Sequence, residues 1–387
     1  MVDTSSLIDG GPTHKLLLRI GLLKQRAPEL ARGAVVIALF GWVPLLVLSA
    51  FDGYLTRGVP VPFLFDYGAH ARQLFGLPLL VVAEVVIGPR LGGAAARLLE
   101  RGLVKADEVP RFEAAVARAL QVRDSAVLEV AVLVLAYVGS FLALGLAFSY
   151  QISRWDLLIT PTGPRLTSAG IWNTFVAVPL YQFMVYRAFV RLLNWFAFLW
   201  TVAALDLQLV PTHPDRAGGL GFLGGAHRPL GVLGISIGAV LSGRYCTEIL
   251  QGGATLAAIR APIAVFVVVM VLVCLGPLVA FMPQLMAARR KGLADYGGLA
   301  LRYVAEFDRK WLRGGAPAGE ELLGNGDIQS LADIGGSFER IEQMRPVPFG
   351  FKDVTALVAG CLLPMIPVAA TVMPLDEVVK IVLKVLG

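Results

Sequence analysis

The sequence predicts an all-α, polytopic membrane helix bundle of about seven transmembrane helices with a small helical cytoplasmic lobe. Three observations predict this fold class. The 387-residue chain is 56% hydrophobic and only 16% charged, whereas a soluble protein devotes about a quarter of its residues to charge. Its apolar residues form seven long runs, and its basic residues collect in alternate segments between those runs.

Each apolar run is close to the length of helix that crosses the hydrocarbon core, which is about 20 residues. The runs must be helical because lipid offers no partner to a bare backbone amide. The predicted spans are 33–51, 73–88, 125–149, 169–186, 229–250, 259–285 and 354–373. Five of them contain proline, which permits a kink: Pro44, Pro78, Pro179, Pro277, and the pair Pro364 and Pro367.

The distribution of Lys and Arg predicts the orientation. Segments 1–32, 89–124, 187–228 and 286–351 carry 25 basic residues, and the intervening segments 52–70, 150–168, 243–260 and 374–387 carry seven. Basic loops stay in the cytoplasm. We therefore expect an inner-membrane protein with a cytoplasmic N-terminus and a periplasmic C-terminus. The basic residues report orientation in the membrane and not a nucleic-acid interface.

This orientation divides the chain into four parts. Residues 1–32 form a cytoplasmic N-terminal segment, and residues 33–285 hold transmembrane helices 1–6 with cytoplasmic helical extensions at 89–124 and 187–228. Residues 286–351 form a cytoplasmic helical loop, with helices expected at 293–312 and 337–344 around a turn-rich stretch at 314–327. Residues 352–387 supply transmembrane helix 7 and an outer amphipathic tail at 375–386.

The fourth span allows two interpretations. Residues 169–210 contain no turn signal, and 192–210 could form an extra span. An extra span would move the basic cluster at 289–291 to the outside, so we predict instead one helix of about 60 Å that projects into the cytoplasm. The lobe is then expected to cover its apolar face, which carries Trp195, Phe198, Leu199 and Val202. Asp206 is expected on the same helix, either solvated or paired with an arginine.

Four ionisable residues lie near the inner ends of neighbouring spans: Glu84, Glu129, Arg187 and Arg191. Charges inside a membrane are costly and normally paired, so we expect an ion-pair network at one depth. The network has two interpretations. It could line an ion path, or it could be a structural pin between helices, and pinning is the commoner role.

A Pro- and Gly-rich segment, PTHPDRAGGLGFL at 211–223, predicts a tightly folded loop. His213, Asp215, Arg216 and His227 are its candidate ligand-site residues, since imidazole and carboxylate bind metals. No spacing supports a metal, however, and hydrogen bonds that fix the loop are the simpler expectation. The glycines could present amides to an anion or let the chain approach a neighbouring helix.

Small residues recur at intervals of four in the fifth span, at Gly234, Gly238 and Ser242. Such a stripe allows close helix packing, within the bundle or between subunits. The three cysteines are too few and scattered for a disulfide framework or a metal cluster. The sequence thus gives no cofactor, no metal and no catalytic constellation.

Two strings, PTHPDRAGGLGFL and DIQSLADIGGSFERIEQMRPVPF at 327–349, resemble segments of uncharacterised bacterial polytopic inner-membrane proteins. The resemblance implies membrane location and brings no activity. Our leading hypothesis is a homo-oligomeric ion channel or transport protein for a small ion or solute. The alternatives are a membrane signalling or scaffold protein, and a lipid-head-group enzyme acting through His213 and Asp215.

Overall fold

The computed structural model describes residues 7, 10–19, 21, 27–149 and 152–371, and it is 76% helical. Within those residues, seven helices are long and apolar enough to cross a membrane. The all-α bundle predicted from the sequence is therefore confirmed. The predicted tail at 375–386 lies outside the described residues.

The described helices, numbered in chain order, are α1 (Pro12–Arg19), α2 (Ala27–Phe51), α3 (Tyr67–Glu100), α4 (Val109–Arg123), α5 (Ala126–Ser149), α6 (Ser168–Ala203), α7 (Phe222–Gly252), α8 (Leu256–Leu312), α9 (Gly326–Glu342) and α10 (Phe351–Ala370). The candidate spans are α2, α3, α5, α6, α7, α8 and α10. A 3₁₀ turn, Phe63–Phe65, and an antiparallel hairpin of β1 (Leu157–Thr160) and β2 (Gly163–Leu166) complete the chain.

Because consecutive spans run in opposite directions, the connections fall at two ends of the bundle. The end that carries α1, α4, α9 and the segment 204–221 is called the charged end below. The opposite end carries the β1–β2 hairpin, the segment 52–66 and the short turn 253–255, and it is called the hairpin end. The basic segments 89–124, 187–228 and 286–351 all lie at the charged end.

The fourth span is one continuous helix, α6, of 36 residues, or about 54 Å. It ends at Ala203, earlier than the predicted end at 210. Beyond it the chain is extended, because Leu207 forms a bridge with Val104 and the carbonyl of Ala203 accepts a 2.6 Å hydrogen bond from Gln284 Nε2. Asp206 therefore lies past the helix and pairs with Lys105, not with an arginine.

The projecting half of α6 buries the apolar face that the sequence indicated, with Trp195, Phe198 and Leu199 each at most 3% exposed. Helix α4 supplies part of the cover: Phe112 meets Phe198 edge to face at 5.7 Å, and such aromatic pairs add about 0.5–1.5 kcal/mol beyond area burial. The predicted helix at 293–312 is the continuation of α8, and the helix at 337–344 belongs to the longer α9.

Two spans contain a π-turn near the hairpin end, Arg72–Gly76 in α3 and Asn173–Ala177 in α6. A proline follows each turn, Pro78 and Pro179. Proline lacks the N–H that would bond the carbonyl four residues earlier, so the wider turn accommodates the missing bond. The predicted proline kinks thus take the form of local helix widening at these two positions.

The carbonyls that the two turns release are satisfied by side chains of other helices, as membrane proteins require. Tyr137 Oη donates to the carbonyl of Phe175 at 3.2 Å and Ser140 Oγ to that of Thr174 at 2.7 Å; Gln73 Nε2 donates to Ala177 at 3.0 Å and Ser236 Oγ to Gly76 at 2.8 Å. The π-turns therefore tie α3, α5, α6 and α7 together.

The small-residue stripe of α7 faces α10 within the bundle. A Cβ at Gly234 would lie 2.7 Å from Cys361 Sγ, and one at Gly238 would lie 2.7 Å from Pro364 Cγ. Ser242 is buried further along the same helix. The contacts of the two glycines favour packing within the bundle over packing between subunits.

Candidate functional site

The charge layer consists of Glu84 on α3, Glu129 on α5, and Arg187 and Arg191 on α6. Arg187 Nη1 lies 2.6 Å from Glu84 Oε2, and Arg187 Nε lies 3.1 Å from Glu129 Oε1. Arg191 Nη1 lies 2.9 Å from Glu84 Oε1. The structure thus brings together all four residues that the sequence singled out, while the role of the network stays a prediction.

Helix geometry explains the arrangement. Arg187 and Arg191 stand one turn apart on one face of α6, and the two glutamates face them from α3 and α5. The side chains of Glu84 and Arg187 are only 4% and 5% exposed. Two carboxylates and two guanidiniums balance formally. Removing one partner from such a buried pair costs about 3–5 kcal/mol, because the other charge is left uncompensated.

The N-terminal segment covers the charge layer, which the sequence reasoning missed. Thr13 donates to Glu129 Oε2 from its backbone N at 2.7 Å and from Oγ1 at 2.6 Å. His14 Nδ1 lies 2.9 Å from Glu84 Oε1. The carbonyl of Gly10 accepts from Nη2 of both Arg191 and Arg187. Every charge of the layer is therefore contacted by residues 10–14.

Glycine is needed where this segment approaches the layer. Gly10 and Gly11 have φ of +150° and +87°, a region that favours glycine. A Cβ at Gly10 would lie 2.6 Å from Arg123 Nε, and one at Gly11 would lie 2.9 Å from Glu129 Oε1. Pro12 then begins α1, a favoured first helical position. The Gly-Gly-Pro-Thr string was the readable signal for this turn.

A cavity of about 40 Å³ adjoins the charge layer between α3, α6 and α7. Glu84, Arg187 and Arg191 form its polar wall, and apolar side chains that include Leu80, Met184 and Leu233 form the rest. This volume holds on the order of two or three water molecules. The charges therefore border a partly open cavity and are not packed solely against one another.

The loop at 211–223 is organised around the carboxylate of Asp215. It accepts backbone hydrogen bonds from Ala217 at 2.8 Å, Gly219 at 3.1 Å and Gly221 at 2.8 Å. Burial raises the pKa of Asp215, but these bonds outweigh burial and hold the pKa below its ordinary value. His213 Nδ1 lies 2.9 Å from Asp215 Oδ1. The glycine amides thus surround an anion that the loop itself provides.

The two strings that carry the family resemblance contact each other. Arg345 donates from its backbone N to the carbonyl of Arg216 at 2.7 Å and from Nη2 to the carbonyl of Asp215 at 2.8 Å. Arg216 adopts a φ of +54°, an uncommon conformation outside glycine. Nearby, Arg228 pairs with Asp353 at 2.7 Å. Arg345 thus joins the 286–351 loop to the loop at 211–223, and Arg228 joins α7 to α10.

His227 does not join His213 and Asp215 but lies fully buried under α6. Its Nδ1 lies 2.7 Å from the carbonyl of Leu223, and its Nε2 accepts from Trp195 Nε1 at 3.0 Å. Both ring nitrogens are thereby used. Among the described residues, no group of three His, Cys, Asp or Glu side chains could hold a metal ion. The trio considered from the sequence is not assembled.

A second ionic network, also missed by the sequence reasoning, lies at the hairpin end. Asp66 Oδ2 accepts from Arg154 Nη2 at 2.6 Å and from Trp155 Nε1 at 2.9 Å, and Oδ1 accepts from the backbone N of Ala69 at 3.0 Å. Burial raises the pKa of Asp66, but Arg154 and these hydrogen bonds outweigh burial and hold the pKa below its ordinary value. Arg72 Nη2 extends this network by donating a hydrogen bond to Asn173 Oδ1 at 2.8 Å.

Seven apolar helices, intramembrane charge and side-chain-satisfied helix breaks define a multi-pass α-helical membrane protein. Comparison with protein-family models, curated proteins and solved structures finds no match for this chain.

Proposed function

We propose that this protein moves a small ion or solute across a bacterial inner membrane by a path that passes the charge layer. The observation that carries the proposal is the position of Glu84, Arg187 and Arg191 on the wall of a partly open cavity between α3, α6 and α7. Ionisable side chains within membrane spans commonly mark pathways. A structural pin needs only one ion pair, and apolar packing often replaces a buried pair without loss of stability.

The conformation described here corresponds to a closed state under this proposal. The cavity has room only for water, residues 10–14 cover the charges, and Leu80, Met184 and Leu233 contribute to its apolar wall. Transport would require the cover to move and these apolar side chains to separate.

The proposed orientation places the charged end in the cytoplasm and the C-terminus in the periplasm, as the basic loops favour. Single cysteines at Arg289 and Lys291 would test it, because the three native cysteines are all buried. Labelling from the cytoplasmic face alone is expected. The proposed assembly is a homo-oligomer, and the mass of the detergent-solubilised protein minus bound detergent would establish the number of copies.

Flux into liposomes tests the transport proposal. We expect Glu129→Gln to change the flux of the transported species at least about tenfold, since it removes one of the four charges. Asp353→Asn is the matched control, because it breaks the 2.7 Å pair with Arg228 outside the charge layer. Absence of ion and solute movement for folded wild-type protein, in either membrane polarity and across pH, would remove the proposal.

A signalling or scaffold function is the second candidate. The mutual neutralisation of the four charges and the hydrogen bonds of Arg345 to the loop at 211–223 favour it. In this case the charge layer is structural and the lobe binds a cytoplasmic protein. Glu129→Gln would then lower the unfolding temperature without changing any flux.

A further inference from the structure

Residues 10–15 present a defined set of groups to the charge layer: an acceptor oxygen on two guanidiniums, and N–H and O–H donors on a carboxylate. We propose that the charge layer is a binding site for a small amphoteric molecule, an amino acid or a short peptide, which residues 10–15 occupy in its absence. This inference rests on the proposed function and names the class of solute.

The hydrogen-bond donors of the site are the guanidinium groups of Arg187 and Arg191. Their Nη2 atoms point to the carbonyl of Gly10, at 3.4 and 2.5 Å, while their Nη1 atoms bind Glu84. A free carboxylate would be a stronger acceptor at this place than a peptide carbonyl, because charge-assisted hydrogen bonds are roughly twice as strong as neutral ones. A ligand carboxylate therefore fits where Gly10 now lies.

The hydrogen-bond acceptor of the site is the carboxylate of Glu129. Its Oε2 atom accepts both the backbone N and Oγ1 of Thr13, at 2.7 and 2.6 Å. An ammonium group offers three donors and a positive charge, so it would replace both bonds. The two parts of the site are spanned by the chain from Gly10 to Thr13, which sets the ligand size to that of an amino acid or a short peptide.

Charge balance selects an amphoteric ligand over an ion. Two glutamates and two arginines already neutralise each other. A net anion or cation bound there would leave one buried charge uncompensated, at considerable cost. A molecule with one carboxylate and one ammonium adds no net charge to the layer, and the groups of Gly10 and Thr13 that now contact it are likewise uncharged.

The covering segment is suited to displacement. Helix α1 has only eight residues, too few for a helix to be stable on its own, and Leu16 and Leu18 on its outer side are 56% and 44% exposed. Leu7 is buried in the core and tethers the segment close to the site. A short tether holds the segment at the charge layer with an effective concentration on the order of millimolar. The tethered segment therefore competes with a free ligand that binds the charge layer with similar affinity.

Calorimetric titration of the full-length protein tests the inference. The probes are glycylglycine and the tetrapeptide Gly-Gly-Pro-Thr, each with one free ammonium and one free carboxylate, and N-acetylglycinamide is the uncharged control. We expect the double variant Thr13→Val, His14→Ala to bind both probes about tenfold more tightly than wild type, because the competing segment is weakened. Adding Glu129→Gln to that variant should abolish binding. N-acetylglycinamide should bind in neither background.

Three results would overturn the inference: no binding of either probe to the folded double variant, equal affinity in wild type and double variant, or equal affinity for the uncharged control. Binding without flux of the probes into liposomes would retain the site and refute transport. Ion flux without any probe binding would retain transport and refute the site. Hydrogen exchange of residues 10–19 in the double variant, faster than in wild type, verifies that the segment has been loosened.

Discussion

The two ends of the bundle use the same chemistry, arginine against buried carboxylate, in different surroundings. At the hairpin end, Asp66 and Arg154 are packed with Trp155 and Phe63, whose rings meet edge to face at 4.9 Å. At the charged end, the layer adjoins a cavity and is covered by hydrogen bonds from the separate segment 10–14. Packing around an ionic network, and not its composition, therefore distinguishes a structural anchor, such as the network of Asp66 and Arg154, from a candidate binding site, such as the charge layer.

The largest expected effect comes from breaking the charge layer. Glu84→Gln should lower the free energy of unfolding by about 3–5 kcal/mol, because Arg187 loses its 2.6 Å partner in a buried setting. Thermal unfolding in detergent measures it. The paired variant Glu84→Met, Arg191→Met leaves Glu129 and Arg187 paired at 3.1 Å and should recover much of the loss. If the double variant lost as much free energy of unfolding as the two single variants together, an ionic origin would be contradicted.

Breaking the hairpin-end anchor should have the next largest effect. Asp66→Asn should cost about 2–3 kcal/mol, since a charged acceptor of three hydrogen bonds is lost. The pKa of Asp66 is lowered in the folded state, so its contribution is full at neutral pH and declines as the pH falls below about 4.

Unfolding temperature measured from pH 7 to pH 3 tests the sign of this dependence. The difference between wild type and Asp66→Asn should be greatest at neutral pH and should narrow in acid. A difference that widens in acid would show that the pKa of Asp66 is raised and not lowered. Flux and ligand binding at the charge layer should be unchanged in this variant, which sharpens the contrast between the two ends.

Asp215→Asn should have a smaller effect and should lower the free energy of unfolding by about 1.5–2 kcal/mol. An asparagine retains one acceptor oxygen, but its amide group would face one of the backbone N–H groups that now bond the carboxylate. Exchange of the amides at 217–221, measured by mass spectrometry, should accelerate. Asp206→Asn is the control, because its pair with Lys105 is exposed at the surface; equal acceleration in both variants would contradict the role given to Asp215.

The smallest effect is expected for Gly11→Ala, which should destabilise the covering segment, residues 10–14, by about 1 kcal/mol. The alanine is strained at a φ of +87°, and its Cβ meets Glu129 Oε1 at 2.9 Å. Gly21→Ala is the matched control: its φ is +74°, and no atom of the described residues lies within 4 Å of its Cβ. Hydrogen exchange of residues 10–19 should accelerate in the first variant only. Acceleration in both would attribute the change to backbone strain rather than to contact with the layer.

The spans and the charge layer could be predicted because they follow from single-helix properties: apolar length, and the depth of Glu84 or Arg187 along a span. The cover could not, because Thr13 and His14 lie in a polar segment whose partners are 116 and 70 residues away in the chain. The early end of α6 at Ala203 depends on pairing of Leu207 with Val104, a tertiary contact. Asp66 carried no signal beyond its place before an apolar run.

The side-chain bonds at the two π-turns carry a consequence for biogenesis. A single span leaving the insertion machinery cannot satisfy its own wide turn, since the partners of Phe175 and Gly76 come from α5 and α7. The carbonyls in the π-turn of α6 therefore gain their hydrogen-bond donors only once the neighbouring helices are inserted. The carbonyl of Gly76 in the π-turn of α3 gains its donor from Ser236 on α7, 160 residues later in the chain. The hairpin end should consolidate after synthesis has passed the fifth crossing.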